Sequence, residues 1–437
     1  MKRPSAFAIR RGGGLTTWPE EARKNPLALI RPFRALRYTA AAGPLAELVA
    51  PPYDVIDEKE RARLAALRAT NAIHLIRPVG DEPYRAAAEL LASWRRSGAI
   101  AQDDEPAMLL YAQRFPEHDR VHERWGVLAA LKLEPFDAGI VMPHERTLAG
   151  PKEDRLRLIR ACRTNLSPIF ALVDTPLGLA RLAETATPLA EFRDGAAVVH
   201  RVWRIEDPAA HAALAHRVAA EQVFIADGHH RYEISLAFRD ECRRQRGADD
   251  ELRAYDFVLC FLASTRDEGL VVLPTHRLLA DSPPIESLLE RWRQVCSVEE
   301  RDDPALLWRE LVSRADAEGA PSLGVLAHDS PRCWLLSAAA GAERELKRLA
   351  PELRSLEVSL LHEVVLPEIP NDGFGYTHDE REAIAAVASG AARLGILLPP
   401  PRVGDVLEIS RAHLTMPQKS TYFHPKVLTG LAFHALD

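Results

Sequence analysis

Cysteine is scarce and badly spaced for chemistry. The 437 residues hold five cysteines, at Cys162, Cys242, Cys260, Cys296 and Cys333, and no two of them form a CxxC pair. That spacing argues against a disulfide framework and against a cysteine-rich zinc site. Long apolar runs are missing as well: no segment approaches the eighteen uninterrupted apolar residues of a membrane-spanning helix. The opening MKRPSAFAIRRGGG lacks the apolar stretch of a secretory signal. The cytoplasm is therefore the expected compartment, with no membrane partner. Positive charge is not in excess either. Lys plus Arg total 56 against 62 Asp plus Glu, a formal net charge of -6, which with the lack of a clear helix-turn-helix disfavours DNA as a partner. Both standard nucleotide loops, GxGxxG and GxxxxGK[ST], are absent, as are internal repeats and low-complexity tracts.

What is present is an ordinary globular composition, 47% apolar and 27% charged, long enough for two or three domains. Helical patterns over 58–69, 83–97, 151–162, 208–219 and after Gly228 alternate with strand-like runs. The strands are expected at 71–78, 106–115, 123–134, IFALVD, 197–205, VFIAD, 255–264 and 270–279. LEVSLLHEVVLPEI reads as helical, and the prolines after Ile396 read as separating two short strands within 396–410. The fold class is α/β or α+β. The expected organisation is an N-terminal α/β domain over 1–283 and a C-terminal α/β region over 284–437, its tail folding back on the first.

The densest chemistry lies in FIADGHHRYEISLAF, 224–238. VFIAD ends a buried strand, Gly228 permits a tight turn, and the following residues open a helix whose free N–H groups attract phosphate or carboxylate. Arg231 can add a forked contact to phosphate. Asp227 can hold magnesium or accept a proton, and His229 or His230 can act as a base near neutral pH. A plain cap and turn is the bland alternative. In PHERTLAGPKEDRLRLIRACRTN, His144 and Glu145 stand on a loop where they can reach a substrate. Lys152 and Arg155 share a helix face that can hold phosphates, and Asn165 caps or binds. In APPYDVI, Tyr53 can stack on a substrate while Asp54 accepts from it, or forms an Asx turn. His276 and Arg277 in THR can line a cleft or form a strand-end salt bridge. In MPQKSTYF, Lys419 and Thr421 can bind phosphate through their side chains. Met416, Tyr422 and Phe423 want burial, which predicts that this segment folds back and brings Lys419 to the anion site.

DGHHR after an apolar strand resembles the phosphate-binding box of the ParB/sulfiredoxin-like superfamily, which includes free-serine kinases with the same string, nucleotide-hydrolysing partition proteins and sulfiredoxins. As a whole, the chain resembles the narrower DUF1015 family of uncharacterised bacterial and archaeal proteins, through PPYDVI, HERT with PKEDRL, NLSPIF, ADGHHRYE, LPTHR and MPQKSTYF. The resemblance implies a ParB/sulfiredoxin-like core with large family-specific insertions. It implies a transferase: a nucleotide-dependent kinase using Mg2+ and ATP or ADP on a small hydroxyl-bearing metabolite, serine being suggested by the family's gene neighbourhoods. In those kinases the Asp, a His and the Arg surround the nucleotide phosphates, and an upstream glutamate is the base. Glu145 is the candidate for it, at a longer separation than the small kinases have. The alternatives are a nucleotide-binding or nucleotide-hydrolysing regulator, a phosphatase-like hydrolase using the paired histidines, and a non-enzymatic interaction protein. A homo-oligomer is left open.

Overall fold

The structure is a computed structural model, and it describes residues 28–437 apart from 118, 146–148, 248–250, 318 and 418. Arg146 and Thr147 of the HERT string, and the opening stretch, lie outside the described residues. The fold is α+β, with mixed sheets and helices. Two compact units divide the chain. One comprises residues 1–142, 148–270 and 425–437; the other comprises 143–147 and 271–424.

The first unit is built on a nine-stranded sheet. Its strands are β1 (Ile30–Arg31), β2 (Met108–Glu117), β3 (Arg120–Lys132), β4 (Val141–Met142), β5 (Ile169–Val173), β6 (Thr187–Arg193), β7 (Val199–Ile205), β8 (Val223–Asp227) and β9 (Phe257–Ser264). The spatial order is β4-β8-β5-β9-β3-β2-β7-β6, with β1 also on β3. The β8–β4 and β9–β5 pairs are parallel and the others antiparallel. β5 and β9 read as unbroken apolar runs because every residue in them is buried.

The helices of this unit include α1 (Glu58–Leu67), α2 (Ile73–Ile76), α3 (Pro83–Arg96), α4 (Ala149–Cys162), α5 (Pro208–Ala219) and α6 (His229–Arg246). Leu214 and Val218 of α5 and Tyr232 of α6 pack with Val127, Ile169, Ile225 and Val258 of the sheet. Where a strand is expected over 71–78, the chain forms the short α2. Asn71, fully buried, decides this: its Oδ1 accepts from Ile73 N at 2.8 Å, and its Nδ2 donates to Glu47 O and Val49 O. A local side-chain-to-backbone turn at Asn71 overrides the strand-like composition of Ile-His-Leu-Ile.

The second unit carries β10 (Val271–Leu273), β11 (His276–Leu279), β12 (Cys296–Arg301), β13 (Ser322–Ala327), β14 (Cys333–Ala338), β15 (Gly375–Thr377), β16 (Leu394–Leu397) and β17 (Tyr422–His424). Six of them form an antiparallel sheet in the order β12-β14-β13-β16-β11-β15, and β10 pairs with β17. Both faces are covered: Leu323, Val325 and Leu336 join one apolar cluster, Leu326 and Leu335 another, as the two-residue period of a strand requires. The stretch expected as a second strand after the prolines is instead a helix, Val403–Arg411. Val406, Leu407, Ile409 and Ser410 are its buried residues, an i, i+3, i+4 pattern that a window starting at Ile396 blends with the preceding strand. The helical pattern around Leu360 is realised as a four-residue helix, Glu357–Leu360, running into a π turn over Leu361–Val365.

All five cysteines are buried and free. Among the described residues, no helix is long and apolar enough to cross a membrane.

Candidate functional site

In the first unit, β8 delivers Asp227 to the end of the sheet and Gly228 turns the chain into α6 with φ 90° and ψ 32°. That left-handed geometry favours glycine, and a Cβ here would stand 2.9 Å from Cζ and Nε of Arg231. One turn into α6, Arg231 folds back. Its Nη2 donates to Asp227 Oδ2 and its Nη1 to Pro168 O. The second Asp227 oxygen, Oδ1, accepts from Lys426 Nζ at 2.6 Å. The three side chains are 11–14% exposed. Burial alone would raise the Asp227 carboxyl, but the Lys426 ammonium and the Arg231 guanidinium outweigh it and hold the group far below the usual carboxylate range.

Lys426 is the residue that sequence reasoning missed. It lies far along the chain, and the only local signal is a lysine between proline and an apolar VL pair. The structure clamps its backbone. Gln113 Nε2 on β2 donates to Lys426 O at 3.1 Å, and the buried Arg124 on β3 donates to Pro425 O and Gln113 Oε1. Beyond it, Thr429 forms a bridge with Ala50, Phe433 with Leu36, and His434 with Asn165. Ser167 Oγ meets Thr429 Oγ1 at 2.6 Å. The C-terminal segment thus ties PPYD and NLSP to the strand–glycine–helix turn.

Tyr53 and Asp54 follow Pro52 in a single 3-10 turn. The Asp54 carboxyl is raised, by the protein packed around it and then by the like charge of Asp227, against the opposing pull of Arg231 and Lys426. Asp54 nevertheless keeps solvent access, so its charged form stays reachable by a solute. Tyr53 is pushed up to about 12 by burial and then by Asp54. Arg155 lies over the Tyr53 ring at 4.6 Å while its Nη1 donates to Ile76 O at 2.5 Å and its Nε to Asp154 at 2.6 Å. Arg155 therefore holds the Tyr53 ring in place.

His229 is buried and His230 half-buried at the start of α6. Burial lowers the His230 imidazole, against the opposing charge of Glu233, so the ring is neutral at pH 7. Lys152 of α4 pairs with Glu233 of α6 at 2.5 Å. Asn165 is 6% exposed; its Oδ1 accepts from Leu259 N at 3.0 Å and its Nδ2 reaches Ser235 Oγ at 3.4 Å, which makes it a tie between β9 and α6. A cavity of about 60 Å³ is lined by Tyr53, Arg155, Ser167, Arg231 and Ser235.

The other expected site residues belong to the second unit. His144 is fully buried and its Nε2 meets Thr421 Oγ1 at 2.8 Å. Glu145 Oε1 accepts from the backbone N–H of Lys419, which has a φ of 58°. That is left-handed backbone on a non-glycine residue, held by a carboxylate. The Lys419 ammonium stands 4.1 Å over the Tyr376 ring. The lysine of the C-terminal stretch that reaches Asp227 is thus Lys426. Among the described residues, no group of three or more His, Cys, Asp or Glu forms a metal cluster.

These features define an α+β protein with an ion-paired carboxylate at a strand–glycine–helix turn. Residues 30–359 match the family described as "Protein of unknown function (DUF1015)", and the chain belongs to that family. No curated protein matches it. Among solved structures, the chain is similar to a conserved hypothetical protein from Pyrococcus furiosus, with 13% identity, 69% of this chain and 92% of that one covered, and a TM-score of 0.34. It is similar to a free serine kinase in complex with AMP, with 13% identity, 71% and 91% covered, and a TM-score of 0.35. It is also similar to SbnI with C-terminal truncation from Staphylococcus aureus, with 12% identity, 68% and 85% covered, and a TM-score of 0.35.

Proposed function

We propose that the protein is a nucleotide-dependent phosphotransferase that binds nucleotide phosphates at the Gly228 turn and transfers a phosphoryl group to a small hydroxyl-bearing metabolite. The DGHHR string further suggests a ParB/sulfiredoxin-like core, and the family resemblance suggests serine as acceptor. The observation that carries the reading is the convergence of Lys426 and Arg231 on Asp227 at the N-terminus of α6. Two cations offset the Asp227 carboxylate, and Asp54 adds to that field only in its charged form. No side chain caps α6 among the described residues, so its first N–H groups face the same spot. Helix end and cations together favour an oxyanion.

Phosphoryl transfer needs charge compensation more than covalent chemistry. Arg231 and Lys426 supply it. The acceptor oxygen forms a bond to phosphorus as the bridging bond to the nucleotide breaks, and the hydroxyl proton passes to a base. Within this unit Asp54 suits that role, as a solvent-exposed carboxyl in the field of Asp227, Arg231 and Lys426. Neutral His230 is the second candidate. Both Asp227 oxygens are taken by Arg231 and Lys426, so a magnesium ion here would draw on Asp54 together with phosphate oxygens. When bound, the ion would neutralise phosphate charge.

Calorimetric titration of ATP and ADP into the wild type, Arg231→Ala and Lys426→Met tests the binding half of this reading. Each substitution should weaken binding by about 1.5–3 kcal/mol, the value of a charged hydrogen bond. Unchanged dissociation constants in both variants would remove the nucleotide from this turn.

A further inference from the structure

The THR string supplies a second arginine with a different environment. Arg277 of β11 is 1% exposed. Its Nη1 donates to Thr275 O, and its Cζ lies 4.9 Å from the Tyr376 ring centre, which fixes the guanidinium plane. Among the described residues, Nε and Nη2 have no hydrogen-bond partner. Those two atoms form one edge of the guanidinium, the edge that takes a carboxylate or phosphate through two parallel N–H···O bonds. Burial pulls Arg277 down to about 10, against the opposing effects of Tyr376 and Glu145, so it stays charged at neutral pH. A buried charge with two unmet donors is costly unless something pairs it. Glu145, the carboxylate whose charge acts on it, accepts from Lys419 N.

Arg277 lines a cavity of about 20 Å³ together with Thr275, Glu357, Met416 and Ser420. Glu357 and Pro399 are walls of this cavity and also of a larger one, about 310 Å³, lined by Ser322, Ser355, Arg402 and Asp405. The small cavity has room for little more than a head group; the large one can take the body of a metabolite. Glu357 is pushed up to about 7 by burial and then by Asp405, so near neutral pH it is partly protonated and repels an incoming anion less than an ordinary glutamate.

We infer that the Arg277 edge is an oxyanion site of the second unit, taking the carboxylate or phosphate group of a small metabolite whose remainder occupies the adjoining cavity. This stands on residues of the second unit alone and is independent of the reading given for Asp227, Arg231 and Lys426.

The full chain carrying Arg231→Ala, which disables the first unit's cation pair, is titrated calorimetrically with inorganic phosphate and separately with acetate. One of the two anions should bind at a single saturable site. Adding Arg277→Lys keeps the charge but removes the fork, and should weaken that binding at least tenfold. Equal binding with and without Arg277→Lys, or binding of neither anion, overturns the inference. Should Arg277→Lys fail to fold, wild-type crystals soaked in selenate and in bromoacetate decide the matter. An anomalous peak against Nε and Nη2 supports the site and tells tetrahedral from planar chemistry. A water-sized feature with no anomalous signal from either soak overturns it.

Discussion

Asp227 shows how one residue can be half legible. That Asp227 stands near Arg231 is written in the sequence, four positions on across a glycine turn, although the string reads Arg231 as a phosphate contact rather than its ion pair. Its pairing with Lys426 is not, because a contact across 199 positions leaves no periodic trace. The two bonds have a signed consequence. The carboxyl is depressed in the fold, so the stability it contributes is present above its unfolded value, near pH 4, and is lost as pH falls below that. Lys426→Met removes one of the two charged partners and should cost about 2 kcal/mol at pH 7. Urea denaturation should show that deficit shrinking as pH falls from 4 towards 2. A deficit that is constant with pH would mean that Lys426 acts through packing rather than charge. Glu145 is a different case: its assignment as a base rests on resemblance, while its observed partner is the backbone of Lys419. Glu145→Gln should cut turnover with nucleotide affinity near wild type if the assignment is right. Unaltered turnover would leave the residue as a brace for the Lys419 turn.

Elements were legible where one period dominated. The β2–β3 hairpin, α3 with its buried Trp94 and the β8–α6 turn all follow from apolar spacing and flanking breakers. The exceptions have local causes: a buried Asn71 that turns the chain into α2, and a strand, three prolines and a helix compressed into 396–410. Two glycines separate backbone strain from contact at the element that matters most. Gly228 and Gly247 bracket α6 with φ of 90° and 86°. A Cβ at Gly247 meets nothing within 4 Å, whereas one at Gly228 meets Arg231. Gly247 has ψ −179°, a region essentially confined to glycine, so Gly247→Ala should cost about 1–3 kcal/mol from its backbone alone. Gly228→Ala should cost more and should also weaken nucleotide binding, since it displaces Arg231. Equal losses in melting temperature with intact binding would show that Arg231 yields freely.

At the scale of the whole molecule, residues 425–437 belong to the first unit, while the MPQKSTYF stretch with Lys419 belongs to the second. What composition does not reveal is that the last segment completes a charged site, because only the fold brings Lys426, Asp54 and Arg231 within reach of one electrostatic field. Buried histidines give the molecule a second pH signature. Burial lowers His276 to about 3 and His362 and His434 to about 4. Their folded values lie below the unfolded one, so the stability they add is full above about pH 6.5 and is lost as pH falls through that value. At pH 5 this is roughly 2 kcal/mol per ring. Glu357, raised to about 7, works the other way over part of that window. Denaturation midpoints should fall from pH 7 to pH 5, and fall more steeply in Glu357→Gln. A midpoint that rises at pH 5 would contradict the neutral-histidine assignment.

The central claim is transfer of a phosphoryl group to a small hydroxyl acceptor. Its most direct test is phosphorus NMR of the purified chain with ATP, ADP or pyrophosphate, each combined with a panel of amino acids and hydroxy acids. A new phosphomonoester resonance that requires both one phosphoryl donor and one acceptor, and that is lost in Arg231→Ala, is the predicted result. Phosphate released at the same rate with and without every acceptor, or unchanged spectra in all mixtures, would contradict it.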